Sequence, residues 1–133
     1  MKSKMSQIKI YALKTTIDLH RNNISRAVHS ALVKILEYPE EKIFQRFIAL
    51  EAENFIFPQG RSQLYTIIEI SMFEGRTIET KKLFIKAILD NIHDLCGFEF
   101  NDIEVTIFET PKENWGIRGK NADDLQLNYK VQI

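Results

Sequence analysis

The sequence predicts an α/β fold in which two tandem β-α-β units form one four-stranded mixed sheet with two helices on one face. The first observation is a period-two apolar pattern from Ile68 to Met72, typical of a strand with one buried face. The second is an apolar pattern at helical spacing from Phe84 to Cys96. The third is a repeat, because the same template occurs 60 residues earlier without a gap.

The first unit covers about residues 6–50. Alternation from Ile8 to Ala12 predicts a strand, and Asp18 is the predicted N-cap of the following helix. The apolar positions of that helix are Ile24, Ala27, Val28, Ala31, Leu32, Ile35 and Leu36. Tyr38-Pro39 should end the helix, because the residue before a proline avoids the helical region. A second strand is predicted at 43–50.

The second unit covers about residues 65–109 and has Thr77 as its predicted helix N-cap. A shift of 60 residues places Ile8 on Ile68, Ile24 on Phe84, and Ile43 on Ile103. Each unit should hold two parallel strands joined by a crossover helix. With both helices on one face, the other face stays open, and such faces are rarely exposed to water. We therefore expect another copy of the chain to cover it.

The whole chain, 1–133, is predicted to be a single domain, because its length suits one hydrophobic core. The segment between the units could form a short edge strand or hairpin at 54–57, before Pro58 and Gly60 turn the chain. A glycine-punctuated loop follows the second unit at 114–119. The C-terminal segment 110–133 ends in a predicted strand at 127–133.

Composition excludes several classes of function. The formal net charge is +0, from 18 basic and 18 acidic residues, which argues against nucleic acid or an anionic membrane as the main partner. Cys96 is the only cysteine, so an intrachain disulfide is impossible and a cytoplasmic location is expected. His20, His29 and His93 do not have metal-ligand spacing, and no nucleotide or dinucleotide fingerprint occurs. No metal or cofactor is predicted.

Four segments carry a resemblance to a known family: IKIY from Ile8, PEEKIFQR from Pro39, YTIIEISMFEGRTIETKK from Tyr65, and ENWGIRG from Glu113. Together with the duplication, they resemble the tautomerase superfamily, which includes 4-oxalocrotonate tautomerase, malonate semialdehyde decarboxylase and macrophage migration inhibitory factor. The resemblance implies a homotrimer with pockets between subunits. It also implies an N-terminal proline as base and an arginine that holds the substrate carboxylate.

The sequence departs from that family pattern at the base. The only prolines are Pro39, Pro58 and Pro111. Ser6 occupies the place before IKIY and is preceded by Met5. Ser6 would offer an amine with a pKa of about 7.7–8 if it were the mature N-terminus, and it would otherwise be an internal residue. Lys42 stands where the decarboxylase-like branch carries an acidic residue.

The candidate ligand-binding residues are Arg76, Arg61, Trp115 and Tyr11. Arg76, in the turn before the second helix, would pair with a carboxylate, although a surface ion pair with a nearby glutamate is the alternative. Arg61 would either line the same pocket or anchor its own loop to an acid. Trp115 would roof a pocket or pack in an interface, and Tyr11 would donate a phenol or serve in packing.

Two functions remain open at the level of sequence. The first is a tautomerase-like isomerase or lyase with non-standard catalytic residues. It would bind a small 2-oxo or enol carboxylate and promote keto–enol tautomerisation, hydration or decarboxylation. The second is a catalytically silent trimeric binding or structural protein that keeps the fold without the proline base.

Overall fold

The computed structural model describes residues 6–125 of the chain. Its main elements are β1 (Ser6–Leu13), α1 (Lys14–Leu36), β2 (Gln45–Leu50), β3 (Thr66–Phe73), α2 (Ile78–Cys96), β4 (Ile103–Thr110), β5 (Gly116–Ile117) and β6 (Lys120–Asn121). The strand predicted at 127–133 lies outside the described residues. Within them, no helix is long and apolar enough to cross a bilayer.

The predicted mixed sheet is confirmed, with four strands in the order β2-β1-β3-β4. The strands of each unit are parallel, with Ile8 opposite Gln45 and Ile68 opposite Val105. The two units meet through β1 and β3, which are antiparallel, so that Ser6 lies opposite Met72. This register brings the start of one unit beside the end of the other unit's first strand.

Both helices cover the same face of the sheet and pack side by side. Asn91 of α2 donates its side-chain amide to the Ala27 carbonyl of α1 at 3.0 Å. Between helices and sheet lies one core that contains both copies of the repeated template: Ile8, Ile10, Ile24, Val28 and Leu32 from the first unit, and Ile68, Ile70, Phe84, Ile88 and Ile92 from the second. Full burial of each such side chain stabilises the fold by about 1.5–3 kcal/mol.

The two helices begin differently. Thr77 is the N-cap of α2, as predicted, and its hydroxyl accepts the Thr80 N–H at 3.1 Å. The predicted cap at Asp18 is wrong, because β1 runs directly into α1 and the helix begins at Lys14. Asp18 lies one turn inside α1, where its carboxylate pairs with Lys14 at 2.7 Å.

The end of α1 is set by a left-handed residue. Glu37 has φ 59°, and its N–H points to the Leu32 carbonyl. The N–H of Tyr38 donates to the same carbonyl at 3.2 Å. The helix therefore ends at Leu36, close to the predicted stop at Tyr38-Pro39, and β2 begins two residues later than predicted.

Loops cover the two ends of β3 on the sheet face away from the helices. At one end, Phe55 and Phe57 pack on Tyr65, with ring centroids 5.5 and 5.3 Å away. The segment that carries them forms a short 3-10 helix at Ala52–Asn54 instead of the suggested edge strand. At the other end, Trp115 packs on Phe73 at 4.9 Å. The middle of β3 on this face stays half-buried.

Candidate functional site

Arg76 lies in the turn between β3 and α2, and its side chain is folded into the protein. Gly75 adopts φ 128°, a backbone conformation that residues with a side chain rarely adopt. This turn directs Arg76 back towards the end of β3. The residue is only 6% exposed, and its Nη1 donates to the Phe73 carbonyl at 3.2 Å. The alternative of a surface arginine is therefore wrong.

Tyr38 and Ser6 complete a buried polar group with Arg76, which we call the Arg76 cluster. Tyr38 and Ser6 are 3% and 4% exposed. The guanidinium carbon of Arg76 lies 5.9 Å from the Tyr38 ring centroid, within reach of a cation–π contact. The β1–β3 register places Ser6 in this cluster, because it sets Ser6 opposite Met72 near the end of β3.

Ser6 and Arg76 both interact with the hydroxyl of Tyr38. Burial raises the pKa of Tyr38, while the charge of Arg76 and hydrogen bonds from Ser6 and Arg76 lower it in part. The net direction is upward from 10.0, so the phenol is neutral at physiological pH. A neutral phenol beside a guanidinium leaves the positive charge of Arg76 uncompensated within the cluster.

The Nε of Arg76 is buried and has no hydrogen-bond partner among residues 6–125. A buried donor of this kind calls for a partner, because its desolvation would otherwise be a net cost. The N-terminus of α2 also lies next in the chain and favours negative charge nearby. The donor, the charge and the helix end all suit a small anion such as a carboxylate.

Trp115 is connected to the Arg76 cluster through Phe73. The Phe73 carbonyl accepts from Arg76, and the Phe73 ring packs edge-on against Trp115. Trp115 is held by the β5–β6 hairpin, whose Ala122 N–H donates to the Trp115 carbonyl at 2.7 Å. The predicted glycine-punctuated loop is thus this hairpin, turned by Arg118 and Gly119 at φ 55° and 77°.

Arg61 lies at the opposite end of β3. It precedes that strand, and the eight residues of β3 span roughly 26 Å. Its guanidinium is 4.0 Å from Glu104 and 5.5 Å from the Tyr65 ring centroid. Arg61 therefore lies within ion-pair distance of an acid on β4, and within one chain it does not join Arg76.

Tyr11 is also separate from the Arg76 cluster. It is five residues beyond Ser6 on β1, or roughly 16 Å along the strand. Its hydroxyl donates to Glu69 at 2.9 Å, and this hydrogen bond is the main cause that raises the pKa of Tyr11. Lys9 lies 3.8 Å from the same glutamate. Tyr11 thus belongs to a polar group on the open face of the sheet.

Tyr38 is the residue that sequence reasoning missed. In the sequence it stands out only as the residue before Pro39, which is a helix-ending pattern. Its proximity to Arg76, 38 positions away in the sequence, depends on how the two units pack, which no local pattern encodes. The 60-residue repeat offered one hint, since it pairs Tyr38 with Phe98 and so places a polar atom at an otherwise apolar core position.

A groove of about 700 Å³ lies elsewhere, between α1 and α2. It is lined by polar residues of both helices, including Arg26, His29 and Asp94. His29 Nε2 lies 2.7 Å from the Glu40 carbonyl. Within the described part of the chain, no three His, Cys, Asp or Glu side chains are arranged to hold a metal ion.

Comparisons with known proteins agree with the observed fold. A family model described as "Tautomerase enzyme" matches residues 42–118, which is more than half of the chain. The 2-hydroxymuconate tautomerase of Pseudomonas putida is 40% identical over 57 residues, covering 43% of this chain and 90% of that protein.

Solved structures extend the similarity to most of the chain. FG41 malonate semialdehyde decarboxylase inhibited by 3-bromopropiolate has a TM-score of 0.75 and 30% identity, covering 88% of this chain and 92% of that one. The R7 fused 4-OT wild type asymmetric trimer has a TM-score of 0.76 and 19% identity, covering 88% and 96%. The second likeness concerns the fold alone.

Proposed function

This chain belongs to the tautomerase superfamily, and from that premise we propose that it binds a small 2-oxo or enol carboxylate at Arg76. There it would promote proton transfer, as keto–enol tautomerisation, hydration or decarboxylation. The observation that carries the proposal is the buried Arg76, whose Nε has no partner among residues 6–125. Relatives that act as a 2-hydroxymuconate tautomerase and a malonate semialdehyde decarboxylase support this substrate class.

Arg76 would hold the carboxylate and polarise the neighbouring carbonyl. A guanidinium presents planar donors to a carboxylate, and charge-assisted bonds are stronger than neutral ones. Burial strengthens the attraction further, because water no longer screens the charge. The enolate that forms during proton transfer carries more negative charge on oxygen than the ketone does. Arg76 would therefore stabilise the transition state more than the ground state.

Ser6 is the proposed base if its amine is free. It lies in the Arg76 cluster, at the place where the family resemblance puts the catalytic amine. The intact mass of the protein from its own host decides this point, because a chain beginning at Ser6 would carry that amine. A mass that corresponds to a start at Met1 would exclude it. The base would then have to be a carboxylate or a bound water.

A homotrimer is part of the proposal, since a fused 4-OT relative with the same fold is a trimer. Arg61 and Tyr11 are too far from Arg76 to touch the same small ligand within one chain. They would contribute only from a neighbouring copy, at a pocket between subunits. Trp115 would cover that pocket from the same chain as Arg76, through its contact with Phe73.

A catalytically silent binding protein is the second candidate. Lys42 replaces the acidic residue expected from the decarboxylase-like branch, and its backbone N–H serves a turn by donating to the Pro39 carbonyl at 3.1 Å. Arg76 would then bind a carboxylate without turnover. Ligand binding with no ketonisation above the buffer rate would favour this candidate.

The proposal is tested with phenylenolpyruvate and 2-hydroxymuconate as substrates, followed by ultraviolet absorbance, and with phenylpyruvate as a ligand in calorimetry. Arg76→Gln should weaken phenylpyruvate binding at least roughly tenfold, the value of one charged hydrogen bond. The matched control is Arg26→Gln on the exposed surface of α1, which should bind like the wild type. Equal binding by wild type and Arg76→Gln would refute the role of Arg76.

A further inference from the structure

We propose that Tyr38 is a positioning residue for Arg76, an inference that rests on the proposed ligand-binding role of that arginine. Tyr38 would hold the guanidinium in one orientation and so fix the direction in which its buried Nε would meet a ligand. The inference comes from the juxtaposition of three features: a rigidly placed phenol, an arginine packed on its ring, and one guanidinium donor without a partner in residues 6–125.

The backbone fixes the place of Tyr38. Glu37 takes a left-handed conformation, and the N–H groups of Glu37 and Tyr38 both point to the Leu32 carbonyl. Pro39 follows and restricts the backbone of Tyr38 to extended conformations. The side chain is 3% exposed and belongs to the main hydrophobic core. Tyr38 is therefore a rigid support for anything that packs on it.

Arg76 is held against this support by two different contacts. Its Nη1 donates to the Phe73 carbonyl at 3.2 Å, and its Cζ lies 5.9 Å from the Tyr38 ring centroid. Arg76 also hydrogen-bonds the Tyr38 hydroxyl. A planar group fixed at several points cannot rotate freely, so the direction of Nε is fixed as well. The same hydroxyl interacts with Ser6, which links the proposed ligand arginine to the start of β1.

The test uses Tyr38→Phe, which keeps the ring and removes only the hydroxyl. The matched control is Tyr65→Phe, because Tyr65 is also buried and loses a hydroxyl bonded to Glu104 at the other end of β3. The readout is the hydrogen exchange rate of the Arg76 Nε–H by NMR in the ligand-free protein. The resonance is assigned by its absence in Arg76→Lys.

We expect Tyr38→Phe to speed this exchange roughly tenfold and to weaken phenylpyruvate binding several-fold, with Tyr65→Phe unchanged in both. Equal exchange rates in Tyr38→Phe and wild type would overturn the inference. If phenylpyruvate leaves the Arg76 resonance unmoved in the wild type, the proposed function fails instead. The exchange comparison needs no ligand, so it still decides whether Tyr38 orients Arg76.

A second measurement is made on the wild-type protein. In wild-type protein with ¹³C-labelled tyrosine Cζ atoms, phenylpyruvate bound at Arg76 should shift the Tyr38 resonance and leave that of Tyr65 in place. Among the four tyrosine resonances, that of Tyr65 is assigned by its absence in Tyr65→Phe and that of Tyr38 by its absence in Tyr38→Phe. A ligand that shifts Arg76 Nε but not Tyr38 Cζ would show that Tyr38 does not support the arginine, and the inference would be wrong.

Discussion

Asp102 is a single residue that holds the segment between the two units in place. It is 4% exposed, and its carboxylate accepts the backbone N–H and the hydroxyl of Ser62, each at 2.6 Å. The loop that carries Arg61 is thereby tied to the start of β4. Because a buried carboxylate has few other partners, these two bonds make the position sensitive to substitution.

We predict that Asp102→Ala destabilises the protein by about 3 kcal/mol, since both charge-assisted hydrogen bonds between the buried carboxylate and Ser62 are lost. Urea unfolding followed by circular dichroism measures this change. Asp90→Ala is the control, because Asp90 pairs with Lys86 on the exposed surface of α2, and its loss should cost less than about 1 kcal/mol. Similar values for the two variants would contradict the structural role assigned to Asp102.

The raised pKa of Tyr38 predicts that alkaline pH destabilises the fold. The pKa of Tyr38 is higher in the folded state than in the unfolded state, so the folded state keeps the phenol proton to higher pH. The contribution of Tyr38 to the free energy of unfolding is therefore fully present below about pH 10 and is lost as the pH rises further. Absorbance titration at 295 nm should show a late-titrating group of phenols that loses one tyrosine in Tyr38→Phe. A Tyr38 that titrates with the exposed phenols would contradict its burial.

Cys96, which ends the apolar pattern of α2, is only partly buried. It is the last residue of α2, half-buried against the core, and burial raises the pKa of its thiol. The thiolate is the reactive form, so we predict slow alkylation by iodoacetamide at pH 7.5 in the folded protein and fast alkylation in urea. Mass spectrometry over time measures both rates. Equal rates would mean that the thiol is more exposed than the structure shows.

At the scale of elements, the two helix starts show how far sequence patterns reach. Thr77 could be predicted, because a polar residue directly before an apolar periodic run is typical of an N-cap. Asp18 resembles the same pattern, but α1 already begins at Lys14. No capping residue marks that start, because β1 continues directly into the helix and Leu13 has no side-chain cap.

We predict that Thr77→Ala lowers the free energy of unfolding by about 1 kcal/mol, because the Thr80 N–H loses its acceptor. Thr15→Ala, in the exposed first turn of α1, is the matched control and should change stability by less than about 0.5 kcal/mol. Chemical denaturation of both variants provides the comparison. A larger loss of stability in Thr15→Ala than in Thr77→Ala would contradict the assignment of Thr77 as the N-cap.

The sheet and the core could be predicted from apolar periodicity, whereas only part of the candidate site could be predicted from the sequence. Apolar spacing determines which face of each strand is buried, so Ile68 and Ile88 were placed correctly. Arg76 could be proposed as a ligand residue from its position in a strand-to-helix turn. Its neighbour Tyr38 was not, because that contact depends on how the units pack. For Arg61 the sequence left a shared pocket with Arg76 and a loop anchor equally open, because residue type alone does not reveal the distance along β3.

At the scale of the whole molecule, the open face of the sheet bears on assembly. Phe108 of β4 lies on this face, opposite Ser71, and is 47% exposed. In the proposed homotrimer this face would be covered by neighbouring copies. We predict that Phe108→Asp shifts the protein towards monomers, because an ionised side chain would be buried at the contact. Sedimentation velocity measures the change.

Leu19→Asp is the control for assembly, because Leu19 is 80% exposed on α1. That variant should sediment like the wild type. A wild-type protein that sediments as a monomer at micromolar concentration would contradict the homotrimer proposal itself. A wild-type trimer that Phe108→Asp leaves intact would place the contact on another surface.

The antiparallel meeting of β1 and β3 gives the molecule an approximate twofold axis between its halves. The rotation carries the corner formed by Ser6, Tyr38 and Arg76 onto a second corner, 60 residues removed in each case, formed by Thr66, Phe98 and Thr16. All three residues of the second corner are buried, and none is charged. One backbone thus contains a charged and an uncharged version of the same corner, so each chain resembles a fused pair of unequal subunits. An assembly of three such chains would hold three charged corners, although its architecture offers six.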